Sequence, residues 1–410
     1  MVKRAALGMA TVAALGAFFP ACAAELRLDE ALARARESSP VLRAATADVA
    51  AARARLRQGR LIPTNPVISA DVARHTAPGE EQKDRGVQLE QEIEVGGQRG
   101  LRIAAVQHDV AHAEHMMDDR RRTVDGEVRR AFFGLVAAER RRLLAGERVA
   151  VASRLAEAAR RRTRAGEVGA LDARLAEIES VRAAQEQTAA ETARARAEAR
   201  LGTAIGAPPD GSLRAAADEA PLGPAVSEEA VVERALAARP DLAAAREQQA
   251  RFETEARLVQ RRGRIPNPVL RAFYRQELLD ERIVGGGFSV PLPVWNREQG
   301  ATAELLAQAG GAAAEVARLT DEVARQVRLA FRRRAAAEEV WRRYERDAVP
   351  AASAARELLA RGYDTGYLAL PEVLVQQDRL VQVRAAGIDA WLDLHEADAE
   401  LIEAVGTESP

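Results

Sequence analysis

The chain repeats its pattern of prolines and glycines after about 200 residues, and this repeat constrains the fold more than any other feature. Ile62-Pro63-Thr64-Asn65-Pro66 returns as Ile265-Pro266-Asn267-Pro268, and Gly166 returns as Gly366. Alanine-rich helices match one another by chance, but rigid landmarks in chain order do not. We therefore predict a two-fold internal repeat in this chain of 410 residues.

The domain boundaries follow from the repeat. The first repeat is predicted at 25–206 and the second at 228–406. A connector rich in proline and glycine is predicted at 207–227.

Each repeat is predicted to run through the same elements. A helix from about Leu28 to Gln58 stops before Pro63, because proline lacks an amide donor and disfavours helix in the preceding residue. Two extended segments follow, then a long helix to Arg164, a break around Gly166 and a returning helix to Arg200. The four strands are predicted at about 66–76, 86–95, 268–277 and 282–292.

Composition favours long packed helices over an aromatic-rich globular core, since 47% of residues are hydrophobic but only 4% are aromatic. The net charge of -1 gives no reason to expect a nucleic-acid partner. The sequence offers no phosphate-binding glycine loop, no cysteine pair and no plausible nucleophile with a histidine. We therefore expect that the protein is not an enzyme and that it has no cofactor.

The first 24 residues have the pattern of a secretory signal peptide. Lys3 and Arg4 precede an apolar stretch, and small residues end the segment at Ala24. Cleavage before Glu25 is predicted, and lipidation of Cys22, the only cysteine, is the alternative. No other apolar run reaches the roughly 20 residues that a membrane-spanning helix needs.

The segment from Val87 to Val95 alternates with a period of two, as a strand does. Its apolar residues point one way, and Gln88, Glu90, Glu92 and Glu94 point the other way. A one-sided strand of a soluble protein would alternate in the same manner. The predicted strands are, however, close to the roughly 9 to 11 residues of a membrane strand.

Four strands cannot close a barrel alone, and an open sheet edge in lipid leaves backbone groups unsatisfied. Membrane strands therefore require several copies of the chain, and three copies supply twelve strands. Two copies give eight strands, whose interior is filled by side chains. We expect a mainly α fold with a membrane β-barrel portion, built from long coiled-coil helical hairpins and four membrane strands per protomer.

Three stretches resemble the TolC-type outer-membrane efflux channels, and the heavy-metal (CzcC, cobalt-zinc-cadmium) branch most of all. The Pro-Asn-Pro motifs at 63–66 and 266–268 are similar to the segments that lead into the strands of that branch. Glu94-Val95-Gly96-Gly97-Gln98-Arg99 and Pro291-Leu292-Pro293-Val294-Trp295-Asn296-Arg297 are similar to the segments that leave its two hairpins. The resemblance covers essentially the whole mature chain.

The resemblance implies a homotrimer in the outer membrane of a Gram-negative bacterium, with a twelve-stranded barrel and a periplasmic tunnel of twelve helices. The implied partners are a periplasmic adaptor (membrane fusion protein), an inner-membrane RND-type transporter and outer-membrane lipid. The implied function is a passive conduit in a tripartite efflux pump, with heavy-metal cations as cargo. Drugs or other organic solutes are the alternative cargo.

The family places adaptor contact and tunnel opening at the tips of the helical hairpins. Its tip motif, a glycine followed by an apolar pair and an acid, is present at Gly166 to Asp172 and at Gly366 to Glu372. In relatives, carboxylates near the second tip ring the aperture; Glu372 fits the first such position, and Val375 departs from the second. The alternative role for both acids is to complement the positive end of the returning helix.

Two further clusters are candidates for cation contact. Glu90, Glu92 and Glu94 would form an acidic collar if they face the lumen. His108, His112 and His115 share one helical face at a spacing that suits a metal, although solvated histidines near acids need none.

Two alternatives lie outside the channel class. One is a soluble periplasmic coiled-coil adaptor or scaffold, and the other is a periplasmic enzyme on a helical scaffold.

Overall fold

The computed structural model describes residues 25–77, 80–207, 213–216, 227–277 and 281–407. The predicted signal peptide with Cys22 and most of the predicted connector lie outside these residues. The first half contains α1 (Leu28–Ser38), α2 (Pro40–Arg60), β1 (Val67–Ala77), β2 (Glu80–Glu92), α3 (Gln98–Arg164) and α4 (Ala170–Ala204). The second half contains α5 (Glu228–Ala238), α6 (Pro240–Arg264), β3 (Val269–Glu277), β4 (Glu281–Ser289), α7 (Gln299–Arg343), a π-helix (Tyr344–Ala348), α8 (Val349–Asp364) and α9 (Leu370–Val405).

The single helix predicted from Leu28 to Gln58 is in fact two helices, and that prediction was wrong. Ser39 has φ -58° and ψ 122°, an extended ψ between α1 and α2. The cause is Pro40, because its ring disfavours the helical conformation in the residue before it. Arg239, with ψ 120° before Pro240, separates α5 from α6 in the same way.

Two long helical hairpins dominate the molecule. α3 has 67 residues and is therefore about 100 Å long. It packs against α4, which returns alongside it, and against α2, α6 and α9. The predicted break around Gly166 is confirmed, since α3 ends at Arg164 and α4 begins at Ala170.

The hydrophobic core lies where the helices of the two halves meet. Phe132, Leu135 and Val128 of α3 are fully buried there together with Leu201 of α4, and Trp391 of α9 packs into the same cluster. A second cluster joins α5, α7 and α9 through aliphatic residues. Its most buried members include Val231, Val323, Val327, Leu401 and Val405. Val323 and Val327 belong to the three-and-four spacing that predicts the packed seam of α7.

The outgoing helix of the second hairpin is interrupted where that of the first is continuous. Pro350 has no amide hydrogen to give to the carbonyl four residues earlier, and its ring crowds that carbonyl. The wider π turn over Tyr344–Ala348 comes directly before it. Gly387 of α9 faces this turn, and a Cβ placed there would lie 2.7 Å from Val349 Cγ2.

The four strands form one antiparallel sheet in the order β1-β2-β3-β4. The strands predicted to end at 95 and 292 end earlier, at Glu92 and Ser289. Pro266 and Pro268 before β3, and Pro291 and Pro293 after β4, lack the amide donors that would extend the ladders. No helix within the described residues is long and apolar enough to cross a membrane.

Candidate functional site

The strand register sorts the side chains of the sheet onto two faces of different character. Ile68 pairs with Leu89, Leu89 with Ala272 and Ala272 with Gly286, so these residues share one face. The same face, called the apolar face below, carries Ala70, Val72, Val87, Leu270, Tyr274, Val284 and Phe288. The other face, called the polar face, carries Ser69, Asp71, Asp84, Gln88, Glu90, Glu92, Arg271, Phe273 and Arg275.

The apolar face is open to its surroundings. Ile68 is 73% exposed, Val284 80% and Phe288 76%. Beyond the strand ends, Ile93, Val95, Val290 and Leu292 continue the exposed apolar surface toward the helices. A soluble protein rarely leaves so large a contiguous apolar surface uncovered, so this face needs a partner such as lipid.

The polar face is acidic overall. Its described side chains include six carboxylates and two guanidinium groups, counted from the register: Asp71, Asp84, Glu90, Glu92, Glu277 and Glu281 against Arg271 and Arg275. Phe273 also lies on this face, where its ring covers Gly285 so closely that a Cβ there would come within 2.4 Å. Three copies of such a face would line a cavity with excess negative charge.

The three glutamates predicted as one acidic face are not equivalent. Glu90 accepts a hydrogen bond from Arg271 Nε at 2.8 Å, and Glu92 accepts one from Asn267 Nδ2 at 2.7 Å. Glu94 lies beyond the end of β2, where its nearly buried carboxylate pairs with Arg102 at 2.6 Å. The structure therefore brings Glu90 and Glu92 together on the polar face and removes Glu94 from it.

The two outer strands of the sheet have unpaired edges. β1 and β4 each pair with a single neighbour in the sheet as described, β2 and β3 respectively. Such an edge is a template for another strand in water, and in lipid it is not tolerated unpaired. The four-stranded sheet of one chain therefore has two edges that further strands could pair with.

Both hairpin tips end their outgoing helices with the same backbone motif. Gly166 and Gly366 have positive φ, 76° and 78°, a conformation that glycine adopts without strain. The amide of Glu167 donates to the carbonyl of Arg162, and that of Tyr367 donates to the carbonyl of Gly362. These six-to-one hydrogen bonds are the Schellman pattern, which explains why glycine recurs at both predicted tip positions.

The two tip acids occupy matching places. Asp172 lies in the first turn of α4 and Glu372 in the first turn of α9, where a negative charge complements the helix dipole. Neither first turn has a side-chain cap hydrogen bond at its N-cap, because Gly169 and Ala369 hold those positions. Glu372 is exposed, and Asp172 is half-buried.

The two tips pack against each other. Tyr363 of α8 is buried in a cluster with Leu155 and Ala159 of α3 and with Leu370 of α9. The Arg162 guanidinium lies 5.3 Å from the centre of the Tyr363 ring, at cation-π distance. Above this core, Leu171 and Tyr367 point outward, and Tyr367 is 89% exposed.

A buried ionic network below the tips was missed by sequence reasoning. The Arg148 side chain is 7% exposed, and its guanidinium lies 2.7 Å from Glu179, 2.6 Å from Glu186 and 3.0 Å from Asp378. Burial opposes its charge, but the hydrogen bond to Glu179 and the three negative charges outweigh burial and raise the pKa of Arg148.

The residue next to it extends the network to the second hairpin. Glu147 accepts hydrogen bonds from Arg384 of α9 at 2.6 Å and from Arg356 of α8 at 2.8 Å. The hydrogen bond from Arg384 is the main cause that lowers the pKa of Glu147. Adjacent residues of α3 therefore bind three of the other hairpin helices, α4, α8 and α9.

Two of the three predicted histidines of α3, His108 and His112, contact the neighbouring helix α6. His108 Nδ1 lies 2.7 Å from a Glu247 oxygen, and His112 Nδ1 lies 2.9 Å from the carbonyl of Ala244. Within the described part of the chain, no group of three or more histidine, cysteine or acidic side chains is arranged to hold a metal ion. The spacing that suggested a metal contact instead serves helix packing.

A family comparison covers the first half of the chain. Residues 31–207 match the outer membrane efflux protein family. The match spans α1 to α4 with both strands of the first hairpin. Its description agrees with the predicted outer-membrane location and with the prediction that the chain is not an enzyme. No curated protein sequence matches the chain.

Solved structures of outer-membrane channels share the fold over almost the whole chain. The outer-membrane channel OprN superposes with a TM-score of 0.75 at 19% identity, covering 92% of this chain and 89% of that one. The outer membrane protein VceC of Vibrio cholerae gives 0.73 at 19% identity, covering 93% and 96%. The open outer membrane channel MtrE of Neisseria gonorrhoeae gives 0.74 at 18% identity, covering 93% and 89%. At these identities the likeness is one of fold.

Proposed function

We propose that this protein is the outer-membrane channel subunit of a tripartite efflux pump, a passive conduit that closes as a homotrimer. One observation carries the proposal: a four-stranded sheet has an exposed apolar face, an acidic polar face and two unpaired edges. In lipid, these three properties are satisfied together only when the sheet closes with others, apolar side outward.

The number of copies follows from the open interior that a conduit needs. Two copies would supply eight strands, and an eight-stranded barrel is filled by its own side chains. Three copies supply twelve strands and leave an open interior lined by the polar face. The helical hairpins leave the sheet at the end opposite to the turns of the β-hairpins. They extend for about 100 Å, far enough to form a periplasmic tunnel.

The alternative class, a soluble coiled-coil adaptor or scaffold, explains the helices but not the sheet. It would leave Phe288, Val284 and Ile68 in water at more than 70% exposure. An outer-membrane fraction without the protein, together with a monomeric species that migrates identically on gels with and without heating, would favour that alternative and defeat the channel.

We propose that the hairpin tips contact a periplasmic adaptor, which connects the channel to an inner-membrane RND-type transporter. Gly166 and Gly366 form the turns, Asp172 and Glu372 begin the returning helices, and Tyr367 presents an exposed aromatic ring. Aromatic side chains are favoured anchors in protein interfaces. Tyr367→Ala should weaken capture of the adaptor, whereas Val181→Ala, an exposed change on α4 away from the turn, should leave it unchanged.

Within this function, we propose cations as cargo, heavy-metal ions in particular. Support comes from the acidic polar face and from the resemblance of the strand-flanking motifs to the heavy-metal branch. In planar-bilayer recordings, Glu90→Gln with Glu92→Gln should lower the preference for cations. Arg271→Gln, which removes a positive charge from the same face, should raise it. Equal selectivity in all three proteins would refute a role of this face in selection.

The cargo itself is tested in cells. Deletion of the gene should sensitise the cells to zinc, cobalt or cadmium if cations are exported. Sensitivity to dyes and detergents with unchanged metal tolerance would support the second candidate, an efflux channel for organic solutes.

A further inference from the structure

The outer end of the apolar face carries a row of positive charge. The register places Arg85 and Arg282 on the same face as Val72. It places Arg74 and Lys83 on that face too, one cross-strand pair closer to the turns of the β-hairpins. All four side chains are exposed. Arg74, Lys83, Arg85 and Arg282 are called the basic row below.

The two faces differ in the sign of their net charge. Among the described side chains of the apolar face, every ionised group belongs to the basic row, whereas six carboxylates lie on the polar face. Glu81, which pairs with Thr76, lies two residues from Lys83 along β2. Because Arg271 and Arg275 offset only part of the acidic charge of the polar face, the two faces carry net charges of opposite sign.

The row lies at one boundary of the apolar band. Exposed apolar side chains run from Val72 and Val284 down to Val290 and Leu292, and the basic row begins where they stop. This boundary is at the end of the strands away from the helices. Long basic side chains at such a boundary keep their charges at the level of the lipid headgroups.

The distance between Arg85 and Arg282 is long enough for each side chain to bind a separate phosphate group. Arg85 and Arg282 are separated by a single strand, β3, at the level of Gln276. Two strand spacings place their backbones about 10 Å apart. Guanidinium groups bind phosphate oxygens in a fork, and an ammonium such as that of Lys83 adds a point charge.

We propose that the basic row binds the phosphate groups of an anionic phosphorylated lipid in the outer leaflet of the outer membrane. The inference rests on the proposed function, because only a barrel whose β-hairpin turns face the cell exterior brings the row to that leaflet. The lipid would seat its acyl chains along the apolar face and its phosphates on Arg85 and Arg282, with Arg74 and Lys83 closer to the sugar region.

The test compares phosphorylated and dephosphorylated lipid A as probes on the purified oligomer, with bound lipid counted by native mass spectrometry. The test variant is Arg85→Gln with Arg282→Gln. The matched control is Arg271→Gln with Arg275→Gln, which removes two arginines from the polar face of the same sheet. At about fivefold per cation near a charged headgroup, the test variant should bind phosphorylated lipid A roughly twenty-fold more weakly.

The expected result is phosphate-dependent binding by the wild type and the control, and its loss in the test variant. Equal binding of both forms of lipid A by the wild type, or unchanged binding by the test variant, would overturn the inference while leaving a conducting oligomer intact. A wild-type chain that forms no heat-stable oligomer and no conductance would instead defeat the channel proposal, and the inference with it.

Discussion

The two helical hairpins, similar in element order, differ in the continuity of their outgoing helices and in the residues of their cores. The first sends out one continuous helix of 67 residues, anchored by Phe132 and by the buried Arg148. The second sends out α7, a π turn and α8, and its own core is aliphatic. A single Pro350 accounts for the interruption. The first hairpin therefore has a continuous outgoing helix with an aromatic and an ionic anchor, and the outgoing helix of the second hairpin contains a π turn.

The largest predicted difference concerns two phenylalanines at matching positions of the predicted repeat. Phe132 is fully buried, whereas Phe331 is only partly buried. Phe132→Ala should lower the free energy of unfolding by about 3–5 kcal/mol, because it opens a cavity in the main core. Phe331→Ala should cost clearly less. Thermal unfolding of the helices, followed by circular dichroism in detergent, compares the two.

Equal losses in the two phenylalanine variants would show that the cores of the two halves contribute alike. The expected difference between a well-anchored first hairpin and a less anchored second one would then be absent.

The next effect concerns Arg148, a buried cation of the first hairpin. Arg148→Ala leaves three carboxylates from α4 and α9 facing one another without a cation. With partial exposure of the acids to solvent, we expect a loss of about 2–3 kcal/mol. Arg174→Ala, which removes a largely exposed partner of Glu177, should leave the unfolding midpoint unchanged and serves as the control.

Stability should also depend on pH through a side chain that joins the two halves. His395 of α9 is buried and stacks on Phe133 of α3 at 4.1 Å. Burial lowers the pKa of His395 to about 4, the charge of Arg140 adds to this, and Asp398 opposes it. Since the unfolded chain takes up this proton near pH 6.5 and the folded chain only near pH 4, stability falls as the pH drops through that window.

The contribution of His395 is about 3 kcal/mol, complete above the upper limit of the window and lost at its lower limit. His395→Phe keeps the ring packing and removes the proton site. Unfolding midpoints measured across the window should therefore fall less steeply in this variant than in the wild type. Parallel slopes would contradict a neutral buried histidine.

The smallest pair of effects should have opposite signs. Gly387→Ala places a methyl group against Val349 beside the π turn, and overpacking there should cost about 1–2 kcal/mol. Gly146→Ala in the continuous α3 meets no atom within 4 Å and should stabilise the helix by about 0.5–1 kcal/mol. The same sign for both changes would mean that the π turn does not depend on close approach to α9.

Local signals in the sequence were sufficient for much of this architecture. Gly166 and Gly366 marked both tips because a left-handed turn needs glycine, and the alternation around Val87 marked a two-faced strand. Helix boundaries were less accurate where a proline lies inside a predicted helix. Pro40, for example, divides the predicted first helix into α1 and α2. Pro350 was visible in a long helical stretch, yet its π turn was not predicted.

The site was harder to predict, because its contacts join distant parts of the chain. The partners of Arg148 lie 31, 38 and 230 residues away, and their meeting depends on how three helices are rotated. Glu94 keeps the polar phase of the alternation, but a local pair with Arg102 takes it out of the sheet. The histidine spacing was real, but α6 supplied its partners.

The most direct test of the account is cross-linking of the two free sheet edges. Ala70 on β1 and Val284 on β4 stand in the same row of the apolar face. Within one chain they are three strand spacings apart, about 14 Å, too far for a disulfide. Ala70→Cys with Val284→Cys, in a chain whose Cys22 is replaced by serine, therefore reports only on neighbouring copies. Gly286→Cys and Phe288→Cys replace Val284→Cys in a scan of the register between chains.

Oxidation in the outer membrane should produce a covalent trimer, with a dimer as its intermediate, and neither single-cysteine variant should produce the trimer. A dimer as the largest species in every pair, or monomers whose cysteines stay reduced, would contradict closure of the sheet by three copies.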